Sequence, residues 1–475
     1  MLFNSIVFLV FLVGFFAVWP LVRARHNLRW TYITLCSFFF YGWWNWRYTF
    51  LLFYSGTVDY FVGLGIGRYP RLKKPFLVLS LLSNIGILCT FKYLGFFTAN
   101  LSAALQALHL GRIPVIHLVL PIGISFYTFQ SLSYTIDVYK GKLAPEKNFL
   151  HFFAFLSMFP QLVAGPIVRA YDLLPQLSHY KTTTERERWS GFELIMFGYF
   201  KKVVVADNLA PVINEAFKTW HLHGSGAFWW IIMVMFSFQI YCDFSGYSDI
   251  ARGLARWMGY EYPLNFDHPY IATSIRDFWT RWHISLSTWF RDYVYFPLGG
   301  SRRGARWGHL NMWVTMVVSG FWHGAAWTFL IWGALHAFYL SLERVTEWPT
   351  RLMRLPGGRH LCIVVVFLLA LVAWVFFRAP TFGQAIHVTS LMFNFGRWDW
   401  AAARELVWSR QMFLVALMAA RHLYFHGRNA RAQAGTQGAV ATWIPWALQP
   451  AMVGLLIAAC VFFRGPGSAF IYFQF

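Results

Sequence analysis

Long apolar runs separated by short basic breaks give the chain its first reading. Crossing about 30 Å of hydrocarbon takes roughly 20 helical residues. Runs of that length predict spans over 2–22, over 30–66 as a hairpin broken near Asn45 to Arg47, and over 75–98, 114–137, 191–213 and 226–244. Further spans are expected over 309–325, 326–343, 361–377, 411–424 and 443–463, about eleven in all by this length rule. The stretch 150–168 is apolar but holds Pro160, Gly165 and Pro166, which predicts a re-entrant or broken helix. Residues 245–307 are too polar to cross lipid as one helix and too apolar for a solvated loop, so they are expected to line something internal. Residues 427–438 read as a polar linker.

Composition turns these runs into a membrane protein. The 475 residues are 58% hydrophobic, 21% aromatic and only 12% charged, with a mean hydropathy of +0.46. A soluble globule carries about 25% charged residues, so most of this surface meets lipid. The fold class expected is all-α and polytopic, a single membrane domain over 1–475.

The net charge of +21 would suggest nucleic acid in a soluble domain. Here Lys and Arg fall in clusters between apolar runs: Arg23, Arg25 and Arg29; Arg68, Arg71, Lys73 and Lys74; Arg302, Arg303 and Arg306; Arg421, Arg428 and Arg431. That is the pattern of short cytoplasmic loops, and no nucleic-acid partner is expected. Alternation of the clusters puts both termini outside, with 464–475 an outward-facing aromatic tail. The first apolar run has no basic residues before it and no small-residue cleavage site, so it reads as a retained span. The five cysteines are scattered, with no metal-ligand spacing, and no metal is expected.

Ionisable residues inside apolar sequence mark the candidate chemistry, because each costs about 2.5 to 3.5 kcal/mol at a helix centre. His323 stands in Ser319-Gly320-Phe321-Trp322-His323-Gly324-Ala325-Ala326. A neutral histidine can take the proton of an attacking hydroxyl, and it can equally hydrogen-bond between helices. The second stretch, Arg276 to Trp289, holds Trp279, Arg281, Trp282, His283 and Ser287. Helical spacing puts His283 and Ser287 on one face, with Trp279 a turn earlier. That surface reads either as a donor-binding and catalytic wall or as an interfacial helix anchored by its tryptophans. The following stretch Tyr293 to Arg303, with Gly299, Gly300, Arg302 and Arg303, reads either as a phosphate contact or as a basic cytoplasmic loop. No G-x-S-x-G elbow, Walker A motif or H-E-x-x-H helix is present.

At these two sites the sequence resembles the membrane-bound O-acyltransferase family, in its bacterial AlgI-like branch of polysaccharide O-acetylation proteins. The resemblance rests on RDFWTRWHISLSTWFRDYVYFPLGG at 276–300 and GFWHGAAW at 320–327. Support comes from 120–139, 158–169, 241–255, 376–385 and the closing FIYFQF; it is weakest across 390–445. It implies a funnel of helices with re-entrant and interfacial segments, whose thin centre joins a cytoplasmic pocket to an outer one. It also implies His323 as the essential histidine, His283 as the second (asparagine in some relatives), and acetyl-CoA bound from the cytoplasm near Trp279, Arg281, Trp282, Ser287 and Trp322. A periplasmic SGNH-type acetyltransferase would finish transfer to a glycan beside the glycan synthesis machinery, at a bacterial inner membrane. Phe470 to Phe475 resembles the aromatic tail of a small protein of teichoic acid D-alanylation, which implies Tyr472 as an acetyl relay; the bland reading is an aromatic tail packed at the interface. Alternatives to alginate, cellulose or similar exopolysaccharide acetylation are a peptidoglycan O-acetylation component, a transporter and a non-catalytic scaffold.

Overall fold

Backbone polar groups in lipid need partners within the protein, and the chain meets this demand with helices. In a computed structural model, which describes residues 1–116, 118–163, 165–433 and 448–471, 77% of the chain is helical and no strand occurs among the described residues. Among the described residues, four helical segments are long and apolar enough to cross a membrane: Trp46–Arg68, Pro70–Ala107, Gly226–Trp257 and Gly358–Arg378. Ile6–Val22 and Gln449–Phe462 are apolar but shorter. The chain divides into two compact units, Met1–Ile195 with Ile250–Pro263, and Met196–Asp249 with Leu264–Phe475.

The first unit holds α1 (Ile6–Val22), α2 (His26–Gly42), α3 (Thr49–Arg68), α4 (Lys73–Leu88), α5 (Leu94–Ala107) and α6 (Ile124–Tyr139). It continues through α7 (Phe149–Ser157), α8 (Phe159–Leu162), α9 (Ala170–Ser178) and the start of α10 (Glu185–Tyr199). Helices α3, α4 and α6 meet around buried Asp59, whose carboxylate accepts hydrogen bonds from Ser80 Oγ (2.5 Å), Asn84 Nδ2 (3.0 Å to each oxygen) and Ser131 Oγ. Arg29 is fully buried too, and its guanidinium donates to Arg23 O and Leu177 O, both at 2.7 Å. Thr184 and Glu187 form a capping box at the start of α10: Glu187 N donates to Thr184 Oγ1 (3.2 Å) and Thr184 N to Glu187 Oε2 (2.8 Å). Hydrogen bonds from Lys181 and Thr184 hold the Glu187 carboxyl down at about 2.

The second unit carries α11 (Asp207–Lys218), α12 (Gly226–Trp257) up to Asp249, α13 (Ile275–Arg281), α14 (Ile284–Phe290), α15 (Ala305–His323) and α16 (Trp327–Thr346). It ends with α17 (Trp348–Met353), α18 (Gly358–Arg378), α19 (Phe382–Met392), α20 (Trp400–Val407), α21 (Arg410–Gln433) and α22 (Gln449–Phe462).

The break expected in 150–168 is present: α7 stops at Met158, and α8 restarts with Pro160 in its first turn, where a proline costs no hydrogen bond. Three expectations are corrected. The run 114–137 is helical only from Ile124, because Pro121 and Gly123 hold the preceding backbone out of the helix. The crossing expected to stop at 244 continues to Trp257, since Ser245, Ser248 and Asp249 find buried partners there. The linker expected over 427–438 is helical as far as Gln433; the rest of it lies outside the described residues.

Candidate functional site

His323 is the last residue of α15, before Gly324 ends the helix. It is 3% exposed and ringed by Trp322 and Trp332, each 5.0 Å away between centroids, and by Phe377 at 5.3 Å. The neighbouring α15 and α16 touch backbone to backbone. A Cβ on Gly320 would fall 2.3 Å from Phe329 O, and one on Gly333 would fall 2.4 Å from Met316 O, so only glycine fits at either position.

The stretch 276–289 is not one helix. It breaks at Trp282 and His283, where His283 adopts a left-handed conformation (φ 42°, ψ 54°) and starts α14. The expected shared face of Trp279, His283 and Ser287 is therefore corrected. The physical cause is the segment around Asn265, which takes over the hydrogen bonds that helical backbone would have made. Ile284 N donates to Asn265 O (2.9 Å), and Asp267 N donates to Arg281 O (2.9 Å).

Asn265 also fixes the chemistry of His283. Its Oδ1 accepts from Ser285 N (3.2 Å) and Ser285 Oγ (2.9 Å), and lies 3.1 Å from His283 Nδ1. An atom that accepts from a backbone N–H is the amide oxygen, so Nδ1 of a neutral His283 is the donor and the lone pair stands on Nε2. Asn265 Nδ2 in turn donates to Ser248 Oγ at 3.2 Å. Sequence reasoning missed Asn265.

The fold brings some of the expected residues together and turns others away. Trp322 links the histidines, 6.3 Å from His283 and 5.0 Å from His323. Trp279 joins through Trp332, 5.7 Å away. Trp282 is buried between Phe266, Phe278 and Trp374, so this stretch packs in the protein interior and is no purely interfacial helix. Arg281 pairs with Asp277 (2.7 Å), and Ser287 Oγ donates to Trp282 O (3.1 Å). Gly299, Gly300 and Arg303 belong to a turn held by Asn311, which donates to Gly300 O at 2.8 Å. Tyr472 lies outside the described residues.

His336 was also missed. It is 1% exposed on α16, 4.8 Å from Trp332 and 5.0 Å from Trp279, and neither ring nitrogen has a hydrogen-bond partner among the described residues. The signal that picked out His323, an ionisable side chain inside apolar sequence, applies to it equally.

The chain's last described segment reaches the same neighbourhood. Phe470 and Ile471 are buried, and Phe470 packs 4.5 Å from Tyr247 and 5.4 Å from Phe244, whose ring lies 4.5 Å from His283.

Residues 145–382 match the family model of MBOAT, membrane-bound O-acyltransferase family. Over 496 aligned residues, covering all of both chains, the sequence is 37% identical to the probable alginate O-acetylase AlgI of Pseudomonas putida. It is 41% identical to that of Azotobacter vinelandii over 84% of this chain and 79% of the relative. It is also 36% identical to the peptidoglycan O-acetyltransferase of Helicobacter pylori over 82% of this chain and 79% of that protein. The chain belongs to the membrane-bound O-acyltransferase family. It is a polytopic membrane acyltransferase of the AlgI-like kind.

Proposed function

We propose that the protein carries acetyl from cytoplasmic acetyl-CoA across the inner membrane for O-acetylation of an extracytoplasmic polysaccharide, alginate, cellulose or a similar exopolysaccharide. The reading rests on one observation above the others: His323 is buried at a helix end inside a ring of aromatic side chains, and Trp322 joins it to His283. A proton acceptor there can take the proton of the Tyr472 hydroxyl as that oxygen attacks the thioester carbonyl; the C–S bond breaks and CoA leaves as the thiol. His283, with its lone pair on Nε2, is the second histidine of the site. Trp279, Trp282 and Trp322 supply apolar wall for the donor, while Arg281 and Ser287 support it from the bent segment. The acetyl carried on Tyr472 then passes to a periplasmic SGNH-type partner working beside the glycan synthesis machinery, with both termini outside. Similarity to the Helicobacter pylori protein favours peptidoglycan as the second acceptor.

Purified protein given labelled acetyl-CoA should release CoA. His323→Ala should lower that rate by about 10²- to 10⁴-fold, the usual worth of a general base. Normal release from His323→Ala would end the proposal. Tyr472→Phe, which removes the attacking hydroxyl, should abolish both CoA release and passage to the acceptor. Mass spectrometry of the acetylated glycan would name the polymer.

A further inference from the structure

Lys202 lies in the π-helical stretch Phe200–Ala206 that joins α10 to α11, fully buried, and bridges two buried carboxylates: Asp207 Oδ1 at 2.9 Å and Asp243 Oδ1 at 2.8 Å. A cluster of one cation and two anions holds an excess negative charge, and such a group is tolerable in the interior only when further donors satisfy its oxygens. Those donors come from the chain's own C-terminal segment. Ile471 N donates to Asp243 Oδ2 at 2.7 Å, and Ser468 Oγ donates to Asp207 Oδ1 at 2.5 Å. An ammonium has three N–H groups; beyond the two carboxylates, Lys202 Nζ donates to Ser468 O at 3.1 Å.

The entry of the segment is built to the same seat. Gly465 N donates to Val203 O at 2.8 Å, and a Cβ on Gly465 would fall 2.5 Å from the Asp207 carbonyl carbon, so a residue with a side chain could not approach there. Asn208 Nδ2 holds Phe463 O at 2.9 Å just before it. A cluster that only stapled α11 to α12 would need none of these contacts.

We propose that Lys202, Asp207 and Asp243 are positioning residues that seat residues 465–471, and so fix where the C-terminal segment meets the histidine site. Phe470 marks the depth of that seat, since Phe244 packs against both it and His283. The anchor itself stands on geometry. Its consequence for transfer rests on the acetyl-transfer reading above.

Amide hydrogen exchange on the full chain in nanodiscs tests the anchor without any activity. The peptide covering 465–471 should exchange at least tenfold more slowly than a free chain. Exchange at the free-chain rate would overturn the anchor. Ile471→Pro removes the N–H donated to Asp243 together with the buried Ile471 side chain. It should release protection across 465–470 and lower both CoA release and transfer to the acceptor at least tenfold. Ile471→Val keeps the N–H and should behave as the unaltered chain does. Ser468→Ala, a milder change, should show an intermediate loss of protection. Lost protection with undiminished transfer would overturn the positioning role. If the unaltered chain released no CoA, the acetyl-CoA reading would fall, and the exchange data would still judge the anchor.

Discussion

Two of the places that bury carboxylates at helix depth are satisfied in different ways. Asp59 is met by neutral donors alone, Ser80, Asn84 and Ser131, all from the helices flanking its own. The Asp207 and Asp243 pair needs a cation, Lys202, and then donors from Ser468 and Ile471, 261 and 228 residues further along the chain. The first is a self-contained knot in one helix bundle. The second remains incomplete until the last segment of the chain arrives. Similar burial therefore serves a local staple in one case and a long-range closure in the other.

The largest expected effect that sharpens this contrast is Lys202→Met. It leaves two buried carboxylates facing each other and should cost about 3 to 5 kcal/mol, the usual result of removing one partner of a buried ion pair. Thermal unfolding in detergent would read it, together with faster amide exchange over 465–471. Asp59→Asn should cost less, about 1 to 3 kcal/mol, because one accepting oxygen becomes a donor facing other donors. Exchange in the C-terminal segment should stay as it was; if Asp59→Asn released that segment, the two clusters would not be independent. Ser80→Ala, which removes one of several donors to Asp59, should cost only about 1 kcal/mol in the same unfolding experiment.

The helical class was legible because lipid imposes a run length and a charge pattern that survive any detail of packing. The burial of His323 was legible for a related reason: an imidazole amid Gly, Phe and Trp has to be accounted for. His336 gave the same signal and was passed over, since its helix ends in the charged pair Glu343 and Arg344 and reads as a simple return span. The bend at His283 had no local sign, as a left-handed histidine follows from the competing hydrogen bonds of Asn265, eighteen residues away. Nor could the Lys202 cluster be foreseen, because Lys202 and Asp207 fall in the expected span 191–213 and Asp243 in 226–244, and nothing along the chain shows that the three meet until the fold brings them together.

Gly320 and Gly333 set the spacing of the two histidine-bearing helices by main-chain contact, with no side chain between them to flex. The spacing beside His323 is thereby as stiff as the peptide itself. Change around the imidazole is open to the rings of Trp332 and Phe377, whereas widening the gap between the helices is not an available route.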